Sequence, residues 1–403
     1  MALLRPWTVA VAVLSAICGY VIVSSPLDPV VVPSHDVAPM PTGAFPIQTF
    51  LNASKALYTD ITGGGEAFAA DKNGFVYTGT SEGRIIRLVD DDTWEHVAFT
   101  APHRHLGDGS EEMCSKADID NEPFCGRPLG LAFDKQGNLL VCDAYYGLMI
   151  FEWPEGSGSR GPAQGRILTD ESAPDGRKVV FCNTPVEGPD GLVYFTDSSA
   201  KFRINRLFLE LIESGATGAL MSYAPSTKET RVLHKDLPFP NGMVVSFDET
   251  HLLINSCTRA LIWKYHLTGS NKGKLEVFGK NYPTVLDNIR RSPRGTYWVG
   301  GPTPTAMAIV VSRLYPWIRK LMAGLPYRLL VLLTLDTLVG GGGGWAMEID
   351  ETGKVLRLVT DPSSRVRLTT EAFEHNDRMY VGSFVSKMPI FVADMPSAGG
   401  AAG

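Results

Sequence analysis

The stretch Gly137-Asn138-Leu139-Leu140-Val141-Cys142-Asp143, followed by Gly147-Leu148-Met149-Ile150-Phe151, shows the pattern on which the fold of this 403-residue chain depends. A turn containing glycine leads into a short apolar strand, and a second turn leads into another. This turn chemistry, set between apolar runs, is typical of antiparallel hairpins.

The same hairpin pattern recurs five more times. Its copies begin at Asn73, Gly191, His251, Gly295 and Arg378. Six such units, at intervals of roughly 58 residues, predict an all-β fold, namely a six-bladed β-propeller built from four-stranded blades. We expect the propeller to span residues 51–395, with residues 396–403 as a disordered tail. A β-sandwich with irregular loops is the alternative.

The composition excludes some classes of protein. Hydrophobic residues make up 44% of the chain and charged residues 20%, so a largely disordered protein is excluded. The formal net charge is −6 and no basic block is present, so the sequence predicts no nucleic-acid partner.

The N-terminus carries an apolar run of 17 residues, Trp7 to Val23, with Arg5 before it. We predict that residues 1–25 form an uncleaved signal anchor and transmembrane helix; a signal peptide cut near Ser24 is the alternative. The position of Arg5 predicts a type II orientation, with the body in the lumen or outside the cell. Residues 26–50 predict an extended stalk, with five prolines between Pro26 and Pro41.

The cysteines and one sequon fit an oxidising compartment. Cys114 and Cys125 bracket a polar loop that a disulfide can close. Within apolar runs lie three further cysteines, which we predict to be buried free thiols: Cys142, Cys182 and Cys257. Asn52 begins the sequon Asn-Ala-Ser and is a candidate glycosylation site.

Residues 306–338 interrupt the strand pattern. Apolar side chains at helical spacing, including Trp317 and Leu321, predict a helical insertion. It is expected to cap the propeller; a lid over an apolar pocket, or a surface that touches the bilayer, is the alternative.

Four oxygen-bearing residues each precede or begin an apolar run in a different unit: Glu66, Asn183, Asn241 and Asp287. In a propeller, equivalent positions of different blades meet at the central axis. Carboxylate and amide oxygens in such a group predict a Ca²⁺ site, with Asn288 beside it. Taken singly, each residue is also an ordinary turn former.

Several motifs resemble the strictosidine-synthase-like family, and its animal branch of hemomucin type most of all. They are Cys125-Gly126-Arg127-Pro128-Leu129-Gly130, Phe239-Pro240-Asn241-Gly242, Asp287-Asn288-Ile289-Arg290 and Glu374-His375-Asn376. The similarity runs from about Gly63 to Phe391, and paraoxonases and gluconolactonases are more distantly similar.

The resemblance implies a six-bladed propeller with a calcium ion on its axis. Carried over by position, the metal ligands are Glu66, Asn183, Asn241 and Asp287, with Asn288 beside them. The resemblance also implies that Cys114 and Cys125 form a disulfide.

Two positions depart from the catalytic patterns of these relatives. Thr370 stands where the condensing synthases have a glutamate, and the adjacent Glu371 is expected on the opposite face of its strand. Leu129 stands where paraoxonases have a histidine. Amine–aldehyde condensation is therefore the least favoured activity.

The sequence thus predicts a membrane-anchored, calcium-dependent hydrolase of small esters or lactones. His375, expected at the beginning of the last inner strand, is the candidate general base, and Asp287 is an alternative nucleophile. A histidine that bonds a neighbouring blade is the structural alternative for His375. A non-catalytic cell-surface adhesion module with a structural calcium is the competing function.

Overall fold

A computed structural model describes residues 6–31, 45–57, 64–116, 118–154, 163–169, 173–304, 315–339, 344–385 and 388–396. Helix α1 (Pro6–Ser24) precedes two short strands, β1 (Ile47–Gln48) and β2 (Lys55–Leu57). Among the residues described, no helix combines the length and the apolar character required to span a membrane.

Six antiparallel sheets form the six blades, which confirms the predicted propeller. Each blade begins with its inner strand and proceeds outward. Blade 1 contains β3 (Phe68–Ala70), β4 (Val76–Gly79), β5 (Arg84–Leu88) and β6 (Trp94–Phe99). Blade 2 contains β7 (Pro128–Phe133), β8 (Leu139–Asp143), β9 (Gly147–Glu152) and β10 (Gln164–Ile167). Blade 3 contains β11 (Cys182–Glu187), β12 (Val193–Asp197), β13 (Gly218–Ala224) and β14 (Glu229–Leu237).

The remaining blades follow the same order. Blade 4 contains β15 (Pro240–Val245), β16 (His251–Ser256), β17 (Leu261–His266) and β18 (Leu275–Lys280). Blade 5 contains β19 (Ile289–Arg291), β20 (Tyr297–Gly301), β21 (Trp345–Ile349) and β22 (Val355–Thr360). Blade 6 contains β23 (Thr369–His375), β24 (Arg378–Ser383) and β25 (Ile390–Asp394).

The two N-terminal strands complete the last blades. Strand β2 pairs antiparallel with β25 as the outermost strand of blade 6, so the two ends of the chain close the ring. Strand β1 pairs parallel with β22 and adds a fifth strand to blade 5. This closure joins residues more than 300 positions apart, Lys55 and Val392 among them.

The hydrophobic core lies between neighbouring blades. In one cluster Cys142 and Leu148 of blade 2 pack against Phe195 and Met221 of blade 3, and all four are fully buried. Because both faces of most blades are covered, the middle strands read as unbroken apolar runs rather than as alternating ones. This is why the hairpins are visible in the sequence.

Helices occupy the loops on the face where the inner strands begin. They are α2 (Glu111–Ser115), α3 (Glu122–Cys125), α4 (Leu207–Glu213), α5 (Pro316–Ala323) and α6 (Tyr327–Val339). Helices α5 and α6 lie in the insertion expected at 306–338. Residues 306–314 of that insertion and the tail from residue 397 lie outside the described residues.

The disulfides differ in part from the expectation. Cys114 and Cys125 form the disulfide that closes the loop containing α2 and α3. Cys257 is a buried free thiol as predicted. The prediction of free thiols at Cys142 and Cys182 is wrong, because these two residues form a disulfide between β8 and β11. They are distant in sequence, and only the packing of blade 2 on blade 3 brings them together.

The segment that follows α1 is docked at its beginning. Leu27 is buried beside Ile212 of α4 and Leu330 of α6. The backbone amide of Val30 donates to the carbonyl of Glu213 at 3.1 Å. Residues 32–44 of the expected stalk lie outside the described residues.

Candidate metal centre

The inner strands of the blades begin with backbone irregularities at the predicted ligands. The pairing register shifts between Cys182 and Pro185 and between Pro240 and Met243. A β-bulge re-aims the side chains around it, and such bulges are concentrated beside functional sites. Asn183 and Asn241 lie within these two irregular segments.

Blades 1, 5 and 6 meet through Glu66. Its Oε1 accepts a hydrogen bond from Asn288 Nδ2 at 3.0 Å, and its backbone carbonyl accepts one from Thr370 Oγ1 at 2.7 Å. All three side chains are buried, with exposures of 4%, 1% and 0%. The contacts bring together residues that are more than 200 positions apart in sequence.

Blades 3 and 4 join the same group. The Thr184 hydroxyl lies 3.0 Å from Asn183 Oδ1 and 3.3 Å from Asn288 Oδ1. On the other side, the Asn241 amide hydrogen-bonds the Asp287 carboxylate. The structure therefore brings Glu66, Asn183, Asn241, Asp287 and Asn288 to the central channel.

Three oxygens of this group are buried without a hydrogen-bond partner among the described residues. They are Glu66 Oε2, Asn241 Oδ1 and Asp287 Oδ1. An unpaired buried acceptor costs free energy, and a bound cation removes that cost. The unpartnered atoms are two carboxylate oxygens and one amide oxygen, the hard donors that Ca²⁺ prefers. The donor set therefore fits a calcium ion.

The group is poor in conventional metal-binding residue types. Within the part of the chain that the structure describes, no cluster of three or more His, Cys, Asp and Glu residues has metal-site geometry. The group consists instead of neutral amides and two carboxylates, and the two carboxylates, when ionised, balance the charge of one divalent cation.

The electrostatics of the channel penalise uncompensated negative charge. Burial and the neighbouring Glu371 raise the pKa of Glu66 to about 7. Burial and the charge of Glu66 raise the pKa of Asp287. A divalent cation would relieve this repulsion, so the cluster is suited to cation binding.

The prediction that Glu371 points to the opposite face of its strand from Thr370 is wrong. Glu371 is fully buried, forms an ion pair with Arg290, and lies close enough to Glu66 to repel its charge. A register shift between Thr369 and Glu371 breaks the alternation of β23, so that Thr370 and Glu371 both contact channel residues. Arg290, the partner of Glu371, belongs to the motif Asp287-Asn288-Ile289-Arg290 that was identified in the sequence. The register shift in β23 has no evident signal in the sequence.

His375 does not lie at the central channel. It is the last residue of β23, not an early one, and five residues of extended strand separate it from Thr370, about 16 Å. Its Nε2 lies 3.1 Å from the carbonyl of Gly74 in blade 1. The prediction that His375 begins this strand is wrong, and the structure shows the alternative, a contact with a neighbouring blade. Asn376 and Asp377 both have positive φ, as in a type I′ turn. Because Asn and Asp are favoured in such turns, this residue pair was a sequence signal for the end of the strand.

An apolar layer covers the ligand-bearing ends of the strands. Phe181 and Phe239 each precede a predicted ligand by two residues, and their rings pack edge to face at 5.7 Å. Leu129 and Val285 belong to the same cluster, and all four side chains are buried. Leu207 and Leu211 of α4 pack over this layer. Apolar side chains therefore surround the ends of the strands on the face that carries the helices.

Comparison with known families agrees with this geometry. The strictosidine synthase family matches residues 183–270, and the N-terminal strictosidine synthase-like family matches residues 49–88. Adipocyte plasma membrane-associated protein of Salmo salar is 33% identical over 93% of this chain and 86% of its own length. Strictosidine synthase-like protein 13 of Arabidopsis thaliana is 31% identical, over 85% of each chain.

Solved propellers share the fold at low sequence identity. A gluconolactonase from Xanthomonas campestris superposes with a TM-score of 0.53 at 14% identity, over 85% of this chain and 89% of its own. Regucalcin, a calcium-binding protein from Agrobacterium tumefaciens, superposes at 0.50 and 14% identity, over 87% and 95%. The fold and the sequence relationships together show that the chain belongs to the strictosidine synthase-like family of β-propellers.

Proposed function

We propose that the protein is a calcium-dependent hydrolase of small esters or lactones, with its active centre in the central channel. The observation that carries this proposal is that three buried oxygens without a partner, Glu66 Oε2, Asn241 Oδ1 and Asp287 Oδ1, belong to interacting residues of three blades. The names of two propellers that share the fold, a gluconolactonase and a calcium-binding regucalcin, are consistent with it.

In this mechanism Glu66, Asn183, Asn241 and Asp287 hold the ion, and Asn288 orients Glu66. Bound Ca²⁺ supplies a Lewis acid that polarises the substrate carbonyl and stabilises the developing oxyanion. The apolar layer formed by Phe181, Phe239 and their neighbours excludes water around the reacting group.

The carboxylates of the channel are the candidates for the general base, because His375 lies at the far end of its strand. Asp287 and Glu371 are both buried, and burial raises the pKa of each. Because a Ca²⁺ ion bound to Asp287 would lower that pKa again, the case for Asp287 as the base rests on its position beside the ion. We assign this role to Asp287, with attack by its own carboxylate as the alternative; Arg290 neutralises Glu371.

The test is hydrolysis of phenyl acetate and δ-valerolactone by the full chain, with Ca²⁺ or with a chelator. Asn241→Ala should lower kcat/KM by about 100-fold or more, as expected when a group that supports charge stabilisation is lost. The matched control is Asn271→Ala, which removes an exposed asparagine far from the channel. Hydrolysis that survives both the chelator and Asn241→Ala would refute the proposal.

A structural calcium in a non-catalytic adhesion module is the second candidate. The apolar layer at this end of the channel and the replacement of two catalytic positions, at Leu129 and Thr370, favour it. In that case the chelator should lower the melting temperature, while no phenyl or naphthyl ester and no lactone is hydrolysed at any calcium concentration.

We further propose that residues 1–25 hold the propeller at a membrane, on its lumenal or extracellular side. The names of the vertebrate relatives place those proteins at the plasma membrane. Asn52, which is exposed, would then carry a glycan. Treatment with an endoglycosidase should increase the mobility of the wild-type chain but not of Asn52→Gln; equal mobility of untreated wild type and variant would contradict the assignment.

A further inference from the structure

The two helices of the insertion, α5 and α6, form what we call the cap. The cap and its connecting residues expose an unusual number of large apolar side chains to their surroundings. They are Tyr315, Trp317, Leu325, Leu329, Leu332 and Leu333, with exposed fractions from 37% to 70%. A soluble surface rarely carries an apolar patch of this kind unless something covers it.

The inner face of the cap is firmly docked, so the exposed side chains belong to its outer face. Arg319 is fully buried and donates to the carbonyls of Ile212 at 2.9 Å and Val30 at 2.7 Å. Leu330 is fully buried beside Leu27 in the same small core. The orientation of α5 and α6 is therefore determined by polar and apolar contacts on one side only.

Helix α1 extends this outer face. Its C-terminal end packs against α5, and Val21 comes so close that a methyl group on Gly324 would lie 2.3 Å from Val21 Cγ1. The exposed apolar side chains of α1 are Val11, Val13, Leu14, Ile17, Tyr20 and Val23, with exposed fractions from 52% to 86%. The two apolar surfaces are thus adjacent and continuous.

The chemistry of α1 identifies what covers this surface. The helix contains no charged residue over its 19 positions, so water is an unfavourable environment for its free sides. Aromatic side chains such as Trp317 and Tyr315 are typical of the boundary between lipid and water. Exposed Arg328 is held by Asp118 and Asp120 of the disulfide loop, at 3.3 and 3.4 Å.

We propose that α1 and the outer face of the cap form one surface in contact with a lipid bilayer, with α1 in the apolar part of the bilayer and the outer face of the cap in its interfacial layer. Because α4, which supports the cap, packs over the apolar layer of the channel, this arrangement turns the ligand-bearing face of the propeller toward the lipid. The proposal does not depend on the reaction proposed above.

The test uses full-length chain, with Cys18→Ser, reconstituted in phosphatidylcholine vesicles. An environment-sensitive nitrobenzoxadiazole label is attached at Leu333→Cys or, separately, at Leu332→Cys. The matched control is Gln136→Cys, an exposed position in a turn on the opposite face of the propeller. Lipid-borne nitroxide should reduce emission at 332 and 333 by about twofold or more and leave position 136 unchanged.

Aqueous iodide should show the reverse order of quenching. If iodide quenches positions 332 and 333 as strongly as position 136 while the chain remains vesicle-bound, the cap lies in water and the proposal is wrong. If the labels at 332 and 333 are shielded from both quenchers, another protein surface covers the cap, which also overturns the proposal.

Discussion

The central channel and the cap depart from the usual division of a protein into an apolar interior and a polar surface, and they do so in opposite directions. In the channel, Glu66, Asp287 and Glu371 are buried almost completely. On the cap, Trp317 and Leu332 are more than half exposed. Buried polar groups and exposed apolar patches are the informative exceptions in a folded protein. Here they are the basis of the two proposals, a cation inside the ring and lipid outside it.

The two regions also differ in what holds them in place. Strands from five blades contribute to the channel, so its geometry depends on the whole ring. We propose that it depends also on a cation that offsets the negative charges of Glu66 and Asp287. The cap depends on local contacts such as those of Arg319 and Leu330. Conditions that affect the cation should therefore alter the channel and leave the cap intact.

Chelation should give the largest contrast between the regions. Without the cation, the repulsion between Glu66 and Asp287 is uncompensated, so amides of residues 64–70 and 286–291 should exchange with solvent at least about tenfold faster. Peptides covering 316–333 should not change. Hydrogen exchange measured by mass spectrometry with chelator, and again after calcium is restored, tests this contrast. Equal acceleration in both regions would show that the channel and the cap are not independent.

Removing the two disulfides one at a time should affect calcium binding to different degrees. Cys142–Cys182 lies directly before the ligand Asn183, whereas Cys114–Cys125 closes a surface loop. Removing the first with Cys142→Ala and Cys182→Ala should weaken calcium binding by about tenfold, which corresponds to about 1.4 kcal/mol.

The matched pair Cys114→Ala and Cys125→Ala should change calcium affinity by less than about threefold, because that loop contributes no ligand. Isothermal titration calorimetry on both double variants compares the effects directly. An equal loss in the two variants would mean that the disulfides act on general stability rather than on the position of Asn183.

The smallest effect is expected beneath the cap, at Glu210 of α4. Burial raises its pKa to about 7 from 4.5, and Ser199 Oγ donates to it at 2.6 Å. The folded state therefore holds a proton that the unfolded state has released, so the contribution of this group to stability is complete below pH 4.5 and is lost as pH rises to about 7.

Glu210→Gln removes that dependence. Relative to wild type, the variant should gain about 2–4 °C in melting temperature between pH 5 and pH 8. The measurement is thermal unfolding at both pH values. A constant difference between the two proteins across this range would show that Glu210 titrates normally.

The sequence was sufficient to predict the ring and the residues that converge in it. The hairpins were visible because both faces of the middle strands are buried, and Glu66, Asn183, Asn241 and Asp287 were visible because each stands where an inner strand begins. The family resemblance gave the same ligand positions and the Cys114–Cys125 disulfide.

Features that depend on local backbone irregularity or on blade packing were not predictable in this way. The bulge in β23 turned Glu371 toward the channel against the rule of alternation. The Cys142–Cys182 disulfide required the packing of blade 2 on blade 3. The error at His375 was of another kind, since the turn at Asn376 and Asp377 was a usable signal for the end of the strand.

The central claim is that the channel binds one calcium ion through donors from separate blades. Isothermal titration of the chelator-treated full chain with Ca²⁺ tests it most directly, beside Glu66→Gln/Asp287→Asn and the control Glu249→Gln/Asp175→Asn, which makes the same charge change at exposed positions. We predict one site in the wild type and the control, and a loss of affinity of at least about 100-fold in the channel variant. Absence of calcium binding in the wild type, or equal binding by all three proteins, would contradict the account.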